Sequence, residues 1–403
     1  MTTTRIYNVN LMTMDSSLPS GANGILCDSE LWIYENDIVA VGPAADWQQR
    51  PHRSIDAKNQ WCLPGFIDCH THLIYAGSRA DEFSQRLDGV PYATIAGAGG
   101  GILNSVRQTR AAEASDLLQQ SMRRAQRLID EGVTTLEVKS GYGLDQHTEV
   151  KMLNVARALA RHLPVQVIRT YLGAHAVPAE YRDNAQAYID FVCTRMIPLV
   201  AELQLAQAVD VFCETVGFTL DQTRQVFAAA KNHGLPVKVH AEQLTNTHSA
   251  RLAAEYQALS ADHLEYLSAD DVPALADSGC VAVLLPGAFY YLKEQQLPPI
   301  AALRQYKVPM AVATDCNPGT SPVSSLLTCA NMACVLFGLT PEEALVGITR
   351  HAASALGLTN KGMLKAGMAA DCCLWNVDTP TALIYEINGY RPTARWIGGK
   401  YVG

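Results

Sequence analysis

The stretch Leu63-Pro64-Gly65-Phe66-Ile67-Asp68-Cys69-His70-Thr71-His72 runs from an apolar β-like segment into two histidines spaced two apart. On an extended strand alternate side chains share a face, so His70 and His72 point the same way and can grip one ion. The stretch also opens a pattern. From Leu63 to about Gly357, short β-branched or apolar runs alternate with longer amphipathic ones, the signature of strand–helix units around a parallel sheet. Eight such runs end near His70/His72, Lys139, His175, Glu214, His240, His263, Leu285 and Asp315. Between them, residues 115–131 set Leu117, Leu118, Met122, Ala125, Leu128 and Ile129 on one helical stripe that Gly132 stops. Eight units predict an α/β fold with a closed, TIM-like (β/α)8 barrel over residues 63–357.

The flanks read differently. Residues 6–41 contain short alternating pieces (25–27, 31–34, 38–41) broken by Gly, Asn and Asp. Residues 368–375 and 383–402 are again β-like, with a turn at Gly398-Gly399. Chain ends often lie close together, so residues 1–62 and 358–403 are expected to build one small β-sandwich domain with the barrel inserted between them.

Composition narrows the function. The 403 residues are 48% hydrophobic and 17% charged, those of an ordinary globule. The longest apolar candidate, 281–292, is interrupted by Pro286 and Gly287 and is too short to span a bilayer. Residues 1–15 lack the basic start and apolar stretch of a secretory signal, which predicts a cytoplasmic location. The eleven cysteines are odd in number and form no CxxC pair, so neither a disulfide framework nor a cysteine zinc site is expected. A net charge of -8 argues against nucleic-acid partners and leaves a small molecule, for which an anionic substrate would need a local positive pocket.

Side chains at the carboxyl ends of barrel strands converge on one mouth, and five of the eleven histidines fall there. His240 ends the run 235–239, and Asp315 ends 310–314. Together with His70 and His72 they make an N3O set suited to Zn2+ or to Fe2+/Fe3+. Such an ion supplies an acidified water and polarises an electrophile. Asp315 can accept the water's proton. His263 is either a buried histidine bonded to a neighbour or the shuttle that delivers a proton to a leaving nitrogen. The reaction class that follows is attack of water on an sp2 carbon bonded to nitrogen.

The opening stretch resembles the first barrel strand of the amidohydrolase superfamily. Glu137-Val138-Lys139-Ser140-Gly141-Tyr142-Gly143-Leu144, Tyr171-Leu172-Gly173-Ala174-His175-Ala176-Val177-Pro178, His240-Ala241-Glu242-Gln243-Leu244, Ser260-Ala261-Asp262-His263-Leu264-Glu265-Tyr266 and Ala313-Thr314-Asp315-Cys316-Asn317-Pro318-Gly319-Thr320 resemble the imidazolonepropionase family over essentially the whole chain. The resemblance implies hydrolytic opening of 4-imidazolone-5-propanoate to N-formimidoyl-glutamate, in histidine degradation. It further implies that Arg79, Tyr142, His175 and Gln243 contact the substrate, and that Asn317, Gly319 and Thr320 line the site. Arg79 offers a planar fork for a carboxylate. Related barrels carry an acid at the position of Gln243; an amide is no base, so proton transfer falls to Asp315 and His263, with Glu242 as an alternate. Binuclear relatives bridge two ions through a lysine on the fourth strand, whereas Lys139 ends the second, so one metal ion is expected. A homodimer is a family-level expectation. The glycine cluster at 97–101 lacks a phosphate-loop continuation and reads as a loop over the mouth. Cys316 reads as packing. Two other functions share these features: an aminohydrolase acting on the exocyclic amine of a base, and a scaffold that has lost its metal.

Overall fold

A computed structural model of the chain describes every residue except 1, 19–20, 22, 44–46, 48–49, 91–93 and 95–98. The first strands form a sheet in which β1 (Thr3–Met12), β2 (Ile25–Tyr34) and β3 (Asp37–Gly42) run antiparallel as a meander. β4 (Arg53–Asp56) lies parallel to the start of β1 and β5 (Trp61–Pro64) parallel to its end. Two of the expected short pieces, 25–27 and 31–34, are one strand. The polar interruption at Asp28 is absorbed by a positive φ of 45° and by an extra β2 residue between Leu26 and Ser29, a bulge rather than a chain break.

The barrel follows directly. β6 (Phe66–Asp68), β7 (Val133–Lys139), β8 (Gln166–Ala174), β9 (Ala208–Cys213), β10 (Lys238–Ala241), β11 (Ser260–His263), β12 (Val281–Leu284) and β13 (Met310–Val312) each lie parallel to the strand before. Helices cover their outer faces, so strands such as β12, Val-Ala-Val-Leu, are buried along their whole length and read as apolar runs rather than alternations. The helix Ala114–Asp130 buries Leu117, Ala125, Leu128 and Ile129 as its stripe predicts. It stops at Gly132, where φ is 92° and a Cβ would meet the Trp375 ring at 2.9 Å. Between β13 and β6 the circle is joined by a seam beyond both strands. Asp315 N donates to His70 O and His72 N to Cys316 O, both at 3.0 Å, and Thr71 bridges Cys316 in parallel.

The tail returns to the first sheet. β14 (Cys372–Trp375) pairs antiparallel with β5, and β15 (Ala394–Ile397) and β16 (Lys400–Tyr401) make a hairpin through Gly398 and Gly399. Leu383, expected in a β-like run, lies instead in the short helix Ala382–Tyr385. It and Ile384 are both buried, which successive residues of a strand facing opposite ways do not achieve on one apolar surface. Ile6, Leu31, Ile33, Cys62, Leu374 and Trp396 pack into a core of their own, while Trp375 stacks on Phe66 of β6 at 5.3 Å and ties the sheet to the barrel. The architecture is thus a (β/α)8 barrel with a small β-sandwich domain made from both termini.

Candidate metal centre

β10 carries His240 within its strand, whereas His70 and His72 lie past the end of β6 and Asp315 past the end of β13. The expectation that His70 and His72 sit on a regular strand is corrected in this detail. The seam hydrogen bonds extend the backbone beyond Asp68, whose carboxylate accepts from Thr314 N at 3.1 Å and Thr314 Oγ1 at 2.6 Å. Asp315 takes φ 51° and His263 φ 84°, values unusual for side chains larger than glycine.

The donor atoms of His70, His72 and His240 all lie within 4.8 Å of one another and form the metal-binding group among the described residues. His72 Nε2 is 3.3 Å from His70 Nε2 and 3.3 Å from His240 Nε2. Asp315 Oδ1 stands 3.3 Å from His72 Nε2 and 3.5 Å from His70 Nε2. Ligand atoms placed tetrahedrally about zinc at ~2.0–2.1 Å are separated by ~3.3–3.4 Å, so the spacing fits a single divalent ion. Burial pushes His70 and His72 well below the usual imidazole range, with Lys139 and neighbouring histidines adding to the effect. Neutral rings keep the lone pairs a metal needs. Burial holds Asp315 above the usual carboxylate range, partly offset by His263 and His240.

Around this centre the other expected residues take distinct positions. His175 stacks on His72 with centroids 5.1 Å apart, and its Nδ1 lies 3.0 Å from Gly141 O, so Nε2 is left for a ligand. The Tyr142 ring is buried 5.4 Å from His175 and 6.0 Å from His72. Gln243 is nearly buried just past β10. His263 lies 5.4 Å from the His240 ring and 5.8 Å from that of His70; burial lowers its pKa to about 3. Arg79 is largely buried, not a solvated surface group, and its Nε donates to Glu82 at 2.8 Å. Gly319 lies against it. These two, with Tyr75, Phe83, Arg86 and Tyr291, line a cleft of about 230 Å³.

Two expected roles meet a different geometry. Glu242, the alternate proton carrier, turns its carboxylate to Ser249 N (2.6 Å), Ser249 Oγ (2.8 Å), Thr247 Oγ1 (3.1 Å) and Ala250 N (3.2 Å). It is held by the start of the helix Ser249–Glu255 and is not free to move a proton. Asn317 uses its side chain on its own loop, accepting from Gly319 N and Thr320 N at 2.8 Å each and donating to Asp315 O at 2.7 Å. It shapes the loop that presents Gly319 and Thr320. Part of the glycine cluster, residues 97 and 98, lies outside the described residues; Gly101 N donates to Glu82.

Sequence reasoning passed over Glu82, Asp210 and Glu265. Glu265 is buried, its Oε2 lacks a partner, and it lies 4.0 Å from the equally unpartnered His263 Nδ1. An acid two residues from a catalytic histidine candidate was the available signal.

A parallel barrel with three convergent histidines at its carboxyl mouth defines a metal-dependent hydrolase, and the amidohydrolase family model matches residues 61–402. The imidazolonepropionase of Alteromonas mediterranea is 53% identical over 416 residues, covering 99% of each chain. That of Pseudoalteromonas atlantica is 51% identical over 397 residues, covering 98% of each. The chain belongs to the amidohydrolase family and, within it, to the imidazolonepropionases. Among solved structures, a zinc-complexed atrazine chlorohydrolase from Arthrobacter aurescens shares the fold with a TM-score of 0.71 at 16% identity, covering 99% of this chain and 94% of that one. An N-isopropylammelide isopropylaminohydrolase from Burkholderia multivorans gives 0.72 at 19%, covering 100% and 98%.

Proposed function

We propose that the chain hydrolyses 4-imidazolone-5-propanoate to N-formimidoyl-L-glutamate, a C–N bond cleavage in histidine degradation. The observation that carries the reading is Arg79, held by Glu82 and against Gly319 in a cleft it shares with Tyr75, whose ring lies 6.1 Å from that of Tyr142, itself 6.0 Å from His72: a largely buried guanidinium suited to a propanoate carboxylate. A base lacking that carboxylate would leave the guanidinium N–H groups that Glu82 does not take, beyond the Nε bond, without a ligand, which disfavours the aminohydrolase alternative.

The metal ligands in this reading are His70, His72, His240 and Asp315, for one Zn2+ or iron ion. When bound, such an ion supplies Lewis acidity and lowers the pKa of water towards ~7. Arg79 orients the substrate through its carboxylate, while Tyr142 donates to the flat ring, His175 accepts a ring N–H at the Nε2 that its Nδ1–H bond to Gly141 O leaves free, and Gln243 binds through its amide. Asp315 accepts the proton of the attacking water. His263, neutral because it is buried, relays it to the ring nitrogen as the C–N bond breaks. Gly319 and Thr320 complete the wall.

The same reading divides the chain at residues 1–62, 63–357 and 358–403, and places it in the cytoplasm as a homodimer without nucleic-acid partners. No helix of the described residues is long and apolar enough to cross a membrane, and the net charge of -8 opposes phosphate binding. The deciding assay generates the imidazolone in place, with and without a chelator, and follows formimidoyl-glutamate. Metal-loaded protein inert to this compound yet active on a purine or pyrimidine would overturn the proposal.

A further inference from the structure

Beneath the imidazoles the barrel interior holds charge where such barrels ordinarily stack apolar layers. Lys139 Nζ stands 2.7 Å from Asp210 Oδ2 and 2.9 Å from Glu137 Oε2. Lys238 Nζ donates to Glu137 Oε1 and to the Cys69 carbonyl, both at 3.0 Å. Both ammonium groups approach Asp262 Oδ2, at 3.8 and 3.9 Å. Thr170 Oγ1 adds a 2.6 Å hydrogen bond to Glu137. All five charged side chains are 0% exposed.

Two of these carboxylates reach the metal-binding rings. Asp262 Oδ2 lies 2.6 Å from His70 Nδ1, and Asp210 Oδ2 lies 3.2 Å from His240 Nδ1. An ionised carboxylate only accepts, so the Asp262 hydrogen bond calls for a proton on His70 Nδ1, and the Asp210 carboxylate, at ion-pair distance without an aligned hydrogen bond, favours the same tautomer of His240; both leave the lone pair on Nε2. Nε2 is the atom that meets His72 Nε2 in both rings. A purely structural role explains this poorly. Burying ions costs several kcal/mol each, and well-packed apolar residues of similar volume stabilise a core as well or better.

We infer that Asp262 and Asp210 are positioning residues that set the tautomer and orientation of His70 and His240, with Lys139 and Lys238 holding those two carboxylates in place. The inference rests on the metal-centre reading above.

The test uses the zinc-loaded full chain and a chromophoric chelator. Loss of such a partner typically weakens metal binding 10–100-fold. Asp262→Asn and Asp210→Asn should each release zinc within that range more readily, and their cobalt-substituted forms should show altered visible absorption. Glu137→Gln, which touches neither ring, should retain zinc within about threefold. Wild-type affinity in both aspartate variants, or equal loss in Glu137→Gln, would overturn the inference. If the aspartate variants do not fold, nitrogen NMR of wild-type histidines decides: Nδ1–H on His70 and His240 supports it and Nε2–H overturns it. A wild-type chain that holds no zinc would fail the metal-centre reading itself.

Discussion

Gly319→Ala isolates the contribution of Arg79 without touching it. A Cβ built on Gly319 falls 2.0 Å from Arg79 Nη1 and 2.8 Å from Cζ, where ordinary contact begins at 3.4 Å. The guanidinium must therefore withdraw by about 1.4 Å, the difference between those first and last distances. Gly319 is not among the positive-φ residues, and the atom struck is the free end of a flexible side chain, so the fold relieves the clash cheaply. Stability should change by less than about 1 kcal/mol. Binding should not be spared. A hydrogen bond to a charged group is worth about 1.5–3 kcal/mol, which at ~1.4 kcal/mol per tenfold raises KM roughly 10- to 150-fold. Displacement of an orienting group by an ångström also lowers kcat. The assay is steady-state consumption of imidazolone-propanoate, with zinc content and melting temperature as controls. In an Arg79→Ala background the added Gly319→Ala should change KM less than about twofold, because the group it displaces is gone. A folded, metal-loaded Gly319→Ala enzyme with wild-type KM and kcat would refute the reasoning, as would full additivity of the two substitutions.

Asp315→Ala should abolish turnover while Cys316→Ala retains most of it, since burial pushes the Cys316 thiol up to about 12 and leaves no thiolate; equal losses in rate assays would contradict the ligand assignment. Extensive dialysis against a chelator should remove activity and zinc or ferrous iron should restore it; full activity in protein shown by elemental analysis to be metal-free would contradict the site. Outside the site, burial lowers His351 to about 4, with its Nδ1 3.0 Å from Met310 O. The unfolded chain takes a proton near pH 6.5 that the folded chain refuses, so this group's contribution is complete above that pH and is lost as pH falls towards 4. Denaturant unfolding of His351→Gln should lose up to about 2 kcal/mol less than wild type between pH 7 and 5; identical pH slopes would show that His351 titrates normally.

The barrel was legible because parallel strands buried on both faces leave continuous apolar runs, and each run stops where polar residues must face the mouth. That put His240, His263 and Lys139 within their strands and His175 one residue past β8. Strand ends alone could not tell that β6 and β13 stop short of their ligands, because long-range hydrogen bonds between residues near 70 and 315 hold that backbone. Glu242 was misleading for a related reason. Its φ of 50° turns the chain after β10, and the helix behind it supplies the donors. The ion network under the rings was invisible as such, since Lys139, Asp210, Lys238 and Asp262 come from four strands and only the closed barrel makes them neighbours. In the tail, Leu383 and Ile384 read as β-like, and a short apolar run does not by itself exclude the helix that they form.

The seam between β13 and β6 gives the metal centre a place in the order of folding. Asp315 N reaches His70 O only when the last barrel strand has come round to the first, so the carboxylate joins the histidines after the intervening six strands are placed. During synthesis a nascent chain holds His70 and His72 long before it holds Asp315. On the proposed ligand set, a metal captured early would meet an incomplete shell and leave more readily than from the finished ring. Such long-range closure is slow to form, and it makes a full coordination shell a report that the whole barrel, not a fragment, has folded.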